Sequence, residues 1–478
     1  MWIAIRLPRL PLEIFLRGSS TPEPFALEER HCVFACDRKA FVRGVRAGMA
    51  VAAALALAPA LRVVPRDPAT ETEALLGVAG WAAQFTPGVA LEFPDGVLLE
   101  VSGSLKLFGG LESLLGRLRR GLDEMGWSSV LAGAPTPRAA FWFALVGKQE
   151  FIGESAELEP VLAELSVEVL RCNDETLAAF EAIGVRTLGE LRTLPREGVA
   201  RRFGQGPLAE LDRALGRLPD PRNFFVLPAR FGATIELPAE VTQAEALLFA
   251  ARRLIVQLAG FLAARSGGVQ RFVLRLKHRD RAAIEVAIGL VAPSRDAERF
   301  TLLLRERLDN VTLAEPVREI ALQADDIVPL AGRNLGLLLE EGKAAGDWEH
   351  LVERLRARLG TEAVCGIAGR AEHRPERASA LAPLVPLPLS GGGLGWGFGE
   401  RPLWLLDRPK PLEEISAVPH HEGPLELLAG PERIESGWWD GDGVARDYFI
   451  ARMQSEALVW IYRERSGEGG WYLHGLFA

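Results

Sequence analysis

The sequence predicts an α+β protein of several domains, on three observations. Short period-2 strands alternate with amphipathic helical runs through residues 1–165, the pattern of a mixed sheet carrying helices. Residues 231–330 read strand, helix, strand, strand, helix, strand. A stretch rich in Pro, Ala and Gly at 374–399, ending SGGGLGWGFG, precedes a strand-rich aromatic module at 403–478. The chain has 478 residues, 48% of them hydrophobic, which is enough for several cores.

Taken in order, residues 2–6 read as a first strand, a buried edge of a sheet, and 10–16 as a short helix after Pro8. Residues 1–12 contain no acid; Glu13 is the first. Residues 70–85 form an amphipathic helix ahead of Thr86-Pro87. The organising stretch is 91–110, LEFPDGVLLEVSGSLKLFGG. There Val97, Leu99 and Val101 alternate with Leu98, Glu100 and Ser102, as in a strand. A helix at 111–125, a strand at 130–133 and a helix at 136–146 follow. In residues 177–203 short helices flank Ile183-Gly184-Val185, and another follows Pro195. Gly184 permits a tight turn there. Residues 269–281, VQRFVLRLKHRDR, put Phe272, Leu274 and Leu276 on one face and Arg271, Arg275 and Lys277 on the other, with Arg279 and Arg281 extending the basic row. That row either meets a phosphate backbone or is a solvated face. Residues 348–359, WEHLVERLRARL, form a charged helix. The aromatic residues of the last module read as core, part of which can serve as a protein-docking face.

A net charge of −8 gives no global nucleic-acid signature, so any DNA contact must be local. Cys32, Cys36, Cys172 and Cys365 are too scattered for a disulfide framework, and the Cys32–Cys36 pair lacks a second pair at zinc spacing. They read as small core residues in a reducing, cytoplasmic setting. The first residues show no leader pattern, and no uninterrupted apolar run can span a bilayer. No G-x-S-x-G, H-E-x-x-H or P-loop is present, and the glycines at 391–399 follow no strand and open no helix. Neither cofactor nor metal is expected.

These segments, in this order, resemble the Y-family (translesion) DNA polymerases. The stretch 91–110 is similar to the catalytic-strand pattern S-I-D-E-A-Y-L-D-V-T-G-S-x-x-L-F-G. Asp95 takes the place of the family's Asp, Gly96 that of the adjacent Glu, and Glu100 that of a later, non-ligating Asp. Residues 31–64 resemble the fingers pattern A-C-N-Y-E-A-R-x-x-G-V-x-x-G-M, but Arg38 stands for its Tyr and Phe41 for its Arg. Those two positions hold the incoming triphosphate, and an aromatic ring cannot replace a guanidinium fork. Lys148 lies near a phosphate-contacting lysine of the family and reads equally as a surface lysine. Residues 177–203 resemble the helix-hairpin-helix of the thumb, whose turn N–H groups can take a DNA phosphate; an ordinary helical hairpin is the alternative. Residues 231–330 look like the little finger. Asn334-Leu335-Gly336-Leu337-Leu338 is similar to a sliding-clamp peptide, Q-L-x-L-F, although it also reads as the start of the next helix. The opening L-P-R-L-P-L-E and the ending R-D-Y-F … W-Y-L-H-G-L-F-A fit the ImuB group of polymerase-like proteins from bacterial damage-inducible mutagenesis cassettes.

The resemblance implies a right-hand fold: palm at 1–15 and 70–165, fingers at 16–69, thumb at 166–230 and little finger at 231–330. A clamp-peptide, helix and linker region at 331–402 and a module at 403–478 follow. It implies a non-catalytic adaptor that binds primer-template DNA and the sliding clamp (through Asn334, Leu335, Leu337 and Leu338), an error-prone C-family polymerase and a RecA-like accessory protein, ImuA. Nucleotidyl transfer by two metal ions needs several carboxylates around both ions, and Asp95 alone cannot supply them. The alternative is a divergent active polymerase that draws an acid from Glu13, Glu92 or Glu100.

Overall fold

The first strand, β1 (Trp2–Arg6), is an interior strand and not the sheet edge that the sequence suggests. Ile3, Ala4 and Ile5 are all buried because β1 has neighbours on both sides. The computed structural model that shows this describes residues 1–18, 23–279, 281–313, 315–330, 341–360, 362–383, 401–402, 404–467 and 469–477. It contains two compact units, residues 1–358 and 359–478.

In the first unit, α1 (Leu10–Leu16) follows β1. A small domain then inserts, with β2 (Phe25–Glu29), β3 (Cys32–Cys36), α2 (Arg38–Val42), α3 (Val51–Leu57) and β4 (Arg62–Pro65). Its strands form a sheet ordered β3-β2-β4. These strands were not read from the sequence; β2 pairs in parallel with the distant β4, a pairing that local order does not signal. The chain returns through α4 (Pro68–Ala82), the hairpin β5 (Gly88–Glu92) and β6 (Gly96–Glu100), α5 (Leu111–Glu124), β7 (Val130–Ala134) and α6 (Pro137–Leu145). The main sheet has the order β5-β6-β1-β7. Ile3, Ile5, Val97 and Leu99 meet α1, α4 and α5 on one face, and Ala4, Leu98 and Ala132 meet α6 on the other. Burial on both faces explains why residues 97–99 are uniformly apolar.

The core under α6 continues into five short helices, α7 (Ser155–Ala163), α8 (Asp174–Ala182), α9 (Leu188–Thr193), α10 (Arg196–Phe203) and α11 (Gly206–Ala214). Thr187 and Glu190 form a reciprocal capping box that starts α9. The next domain is β8 (Phe231–Val241), α12 (Ala244–Ala264), β9 (Gly267–Lys277), β10 (Ile284–Ser294), α13 (Ala297–Leu308), β11 (Val317–Ala324) and β12 (Ile327–Pro329). Its strand order is β10-β9-β11-β8, with β12 paired to β9. Of the described helices, α12 alone is long and apolar enough to cross a membrane, and most of its apolar side chains lie in this domain's core.

This domain docks on the main sheet's helices through glycines. A Cβ on Gly77 of α4 would stand 2.1 Å from Gln257 Nε2, and one on Gly260 of α12 would stand 2.2 Å from Trp81 Cδ1. The two helices approach closely because neither glycine carries a side chain. Arg17, after α1, lies buried with its guanidinium 4.2 Å from the Trp127 ring centroid, and it donates to the Thr234 carbonyl of β8 at 3.2 Å. Burial pushes that guanidinium down to about 9.

The last helix of the unit, α14 (Glu341–Leu359), begins seven residues before the expected 348. Buried Glu353 holds it to the same domain, accepting from the Val291 N–H at 2.7 Å and pairing with both Nε and Nη2 of Arg299 at 2.7 and 2.6 Å. Asn334, Leu335, Leu337 and Leu338 lie outside the described residues.

The second unit pairs β13 (Cys365–Gly369) with β14 (Ser379–Pro383), so structure extends into what reads as linker. Its main sheet comprises β15 (Trp404–Ile415), β16 (Val418–His420), β17 (Glu426–Ser436), β18 (Val444–Arg452), β19 (Leu458–Glu464) and β20 (Trp471–Leu476), in the order β16-β15-β20-β19-β18-β17. The long β17 runs through register shifts near Gly430-Pro431. Tyr448, Trp460 and Tyr462 stack across β18 and β19 as core. Trp438 and Trp439 do not: they are 83% and 59% exposed in the β17–β18 turn. Buried Arg374 bonds Asp440 of that turn at 2.6 and 3.0 Å and holds its carboxyl down at about 2.

Candidate functional site

The antiparallel register of β1 on β6 pairs Arg6 with Gly96, and the Leu7 N–H donates to the Asp95 carbonyl at 2.8 Å. Asp95 therefore sits at the end of β1, and the side chain that meets it there is that of Arg6. Its Nε donates to Asp95 Oδ2 at 2.8 Å, and its other arm donates to the Leu145 carbonyl at the end of α6 at 2.8 Å. Arg171 approaches Asp95 Oδ1 at 3.6 Å. The carboxylate is only 14% exposed, so these charges interact with little screening from water.

Gly96 is fixed by packing. A Cβ there would stand 2.5 Å from Phe141 Cε2 and 2.9 Å from the Glu92 carbonyl oxygen. Phe141 of α6 thus fills the space that a side chain at position 96 would use, and the Arg171 guanidinium lies 4.9 Å from its ring centroid.

The other acids are held elsewhere. Glu92 pairs with Arg138 at 3.3 Å and with Arg222, and Arg222 also bonds Asp220. Glu13 is buried on α1 and accepts from the Ser128 N–H at 3.0 Å; burial pushes its carboxyl up, against the pull of that hydrogen bond. Glu100 lies at the far end of β6, beside Trp2 and Gly88 in the register. Four residues of strand place it roughly 13 Å from Gly96. No group of three or more His, Cys, Asp or Glu among the described residues could hold a metal ion. The donors around Asp95 do not fit a two-metal centre, because the one carboxylate is bonded to guanidinium and its neighbour has no side chain.

In the small domain Arg38 begins α2 and is exposed. Phe41 is exposed as well, with the Arg46 guanidinium 3.7 Å from its ring centroid. Lys148 is on the surface, paired with Glu164 at 3.3 Å and near Glu150 at 3.8 Å.

At Gly184 the turn is tight, with φ +79°. Its N–H groups are already used. Gly184 donates to the Glu181 carbonyl at 2.9 Å and Val185 to that of Phe180 at 2.9 Å, which closes the end of α8. Arg186 and Thr187 donate to the Glu190 carboxylate at 2.7 and 2.9 Å. Within the chain, these N–H groups close the helix end and cap α9.

On β9 the two faces separate as the alternation requires: Phe272, Leu274 and Leu276 are buried, and Arg271 and Lys277 exposed. The neighbouring strands add acids that the linear reading misses. Arg275 pairs with Glu285 of β10 at 2.9 Å, Lys277 with Glu319 of β11 at 2.5 Å, and Arg281 with Glu315 at 2.8 Å. Arg279 is exposed beyond the strand. Glu236 of β8 stands opposite Glu319, and burial together with that like charge raises its pKa. The outer face is a mixed lattice rather than a purely basic strip. Arg6, Arg171, Phe141 and the two arginines on Glu92, Arg138 and Arg222, were likewise missed; only Arg6, in an acid-free first strand, left a sign in the sequence.

Gly96→Ala is expected to destabilise the chain by about 1–3 kcal/mol through overpacking against Phe141. Pairing it with Phe141→Leu should restore part of the loss, as read by urea denaturation.

Residues 18–140 match the impB/mucB/samB family. Protein ImuB of Caulobacter vibrioides is 29% identical over 461 residues, covering 91% of this chain and 100% of that protein. DNA polymerase IV of Shewanella loihica is 26% identical over 273 residues, covering 55% of this chain and 76% of that protein. Among solved structures, a ternary complex of Dbh aligns with 69% of this chain and 100% of its own, at 17% identity and a TM-score of 0.40. DinB from Sulfolobus solfataricus aligns with 69% of this chain and 99% of its own, at 15% identity and a TM-score of 0.38. The chain thus carries the impB/mucB/samB segment at 18–140 and is similar to ImuB, a Y-family polymerase-like protein, along nine-tenths of its sequence.

Proposed function

We propose that this chain is a non-catalytic adaptor in damage-induced translesion synthesis. It holds primer-template DNA and links the sliding clamp to an error-prone C-family polymerase and a RecA-like accessory protein. The observation that carries the reading is the Arg6–Asp95 pair. A cation shared between carboxylates is what nucleotidyl transfer requires at this place, and here a guanidinium occupies the carboxylate. The packing of Phe141 against Gly96 supports the same reading. The named partners come from the ImuB resemblance, with residues 334–338 as the clamp peptide. The alternative, a divergent active polymerase, must draw on Glu13, Glu92 or Glu100, and the burial, ion pairing and distance described above weigh against each.

The test is primer extension on a lesion-bearing template with Mg²⁺ or Mn²⁺ and all four dNTPs, with binding to the same DNA followed in parallel. Binding without extension is the expected result. Extension that Asp95→Ala abolishes would overturn the proposal.

DNA affinity should fall with salt, and by about tenfold or more at low salt on combined charge reversal of Arg271, Arg275 and Lys277. Glu285→Gln with Glu319→Gln should tighten it, because those carboxylates compete for the same cations. An electrophoretic titration insensitive to both sets would remove β9 as the DNA face.

Conversion of Leu335, Leu337 and Leu338 to Ala should abolish retention on immobilised clamp. Retention at full strength would place the clamp contact elsewhere.

A further inference from the structure

A cavity of about 650 Å³ lies between the main sheet's helices and the domain at 231–330, within the range that small organic ligands fill. One wall is α4, from its N-cap Asp67 to Gly80, and the other is β8 with the segment before it. The floor is formed by Arg17, after α1, and by Gln257 and Phe261 of α12. Two side chains of this floor carry hydrogen-bonding capacity that the fold leaves unused. Arg17 is 7% exposed. One arm of its guanidinium donates to the Thr234 carbonyl, but Nε is buried and donates to nothing, and no carboxylate among the described residues pairs with it. Gln257 is 6% exposed, and its amide makes no hydrogen bond among the described residues.

The charge at the floor is positive. Arg253 stands one turn before Gln257 on the same face of α12. Its Nη1 is also buried without a partner, and its charge reaches Arg17. Against these two guanidiniums stands Glu13, already committed to the Ser128 N–H, whose carboxyl burial pushes up. A buried cation without a carboxylate is costly, and each unmet donor adds to the cost; a bound anion offsets both. The walls say which anion. Around Gly80 they are aromatic: a Cβ there would stand 3.6 Å from Phe261 Cδ2 and 4.0 Å from Phe225 Cε1, and Phe231 meets Phe261 edge to face with centroids 5.4 Å apart. Toward the N-terminal end of α4 they are acidic. Glu236 is raised there by burial and by the like charges of Glu319 and Asp67, and Glu73 lines the same wall. That end turns away a second negative charge, such as the further phosphates of a nucleotide.

We propose that this cavity binds a small aromatic monoanion, a planar ring bearing one carboxylate. The carboxylate meets Arg17 and the Gln257 amide, and the ring lies among Phe225, Phe231 and Phe261. Gln257 and Phe261 are one turn apart on α12, about 6 Å, which is the reach of an aryl acetate. Such a ligand touches α1, α4, β8 and α12 at once, so it fastens the domain at 231–330 to the main sheet's helices. The site uses none of the residues around Asp95 and does not depend on the adaptor reading.

The test is isothermal titration calorimetry of the full chain with three compounds that share a ring and differ in charge: indole-3-acetate, tryptamine and 3-methylindole. Indole-3-acetate is expected to bind one to one and to raise the melting temperature. The other two should bind more weakly by about tenfold or more, since neither brings a carboxylate to the guanidinium. Arg17→Met should weaken indole-3-acetate by about tenfold or more, and Arg17→Lys should keep part of the affinity. Arg17 also holds the Thr234 carbonyl, so two variants that leave it in place keep the test open if Arg17→Met does not fold. Gln257→Leu removes the amide and Ala74→Phe fills the cavity, and both should weaken binding in the same direction. The proposal is overturned if indole-3-acetate does not bind at millimolar concentration, if 3-methylindole binds as tightly, or if the variants bind as the parent does. Tighter binding of tryptamine would assign the cavity to cations at its acidic end, with the same consequence.

Discussion

The antiparallel register of β1 on β6 is the constraint from which the site follows. Because the pairing is fixed by buried side chains on both faces, a shift by one residue would turn Ile3 and Ile5 to the side now held by Ala4. The register therefore brings Arg6 beside Gly96 and its guanidinium onto Asp95. Once that pair forms in a half-buried place, a cation at the carboxylate must displace an arginine that also holds the end of α6. At this place the strands assemble a carboxylate neutralised by guanidinium.

A second consequence concerns the domain at 231–330. Its helix α12 stands between its own sheet and α4, and Gly77 and Gly260 let the two helices approach closely. Helix contacts made on glycines leave little tolerance for displacement, since side chains from one helix occupy the space above the backbone of the other. The domain is thus held to the main sheet's helices by packing as well as by the covalent connection. Along that connection the Phe225 N–H donates to the Val89 carbonyl of β5 at 2.7 Å.

Much of the secondary structure was legible. Residues 2–6 and 10–16 and the strand-helix-strand-strand-helix-strand order were readable because their patterns repeat between clear breaks. The small domain's sheet was not, since its strands are short and β2 pairs in parallel with the distant β4. The second unit misled in one respect. Its aromatic residues read as core, which holds for Tyr448 and Trp460 but fails for Trp438 and Trp439, which a turn pinned by Arg374 presents to solvent.

By itself the sequence determined the residues that matter at Asp95: the absence of an acid before Glu13 and the glycine at 96. It determined the alternation that puts Arg271, Arg275 and Lys277 on one side of β9. Only the tertiary structure decided what faces them. Arg6 reaches Asp95 across 89 positions, Glu319 reaches Lys277 across 42, and Phe141 fills the space at Gly96 from helix α6. Cross-strand register and helix packing set these partners, and neither is written in the local order of side chains.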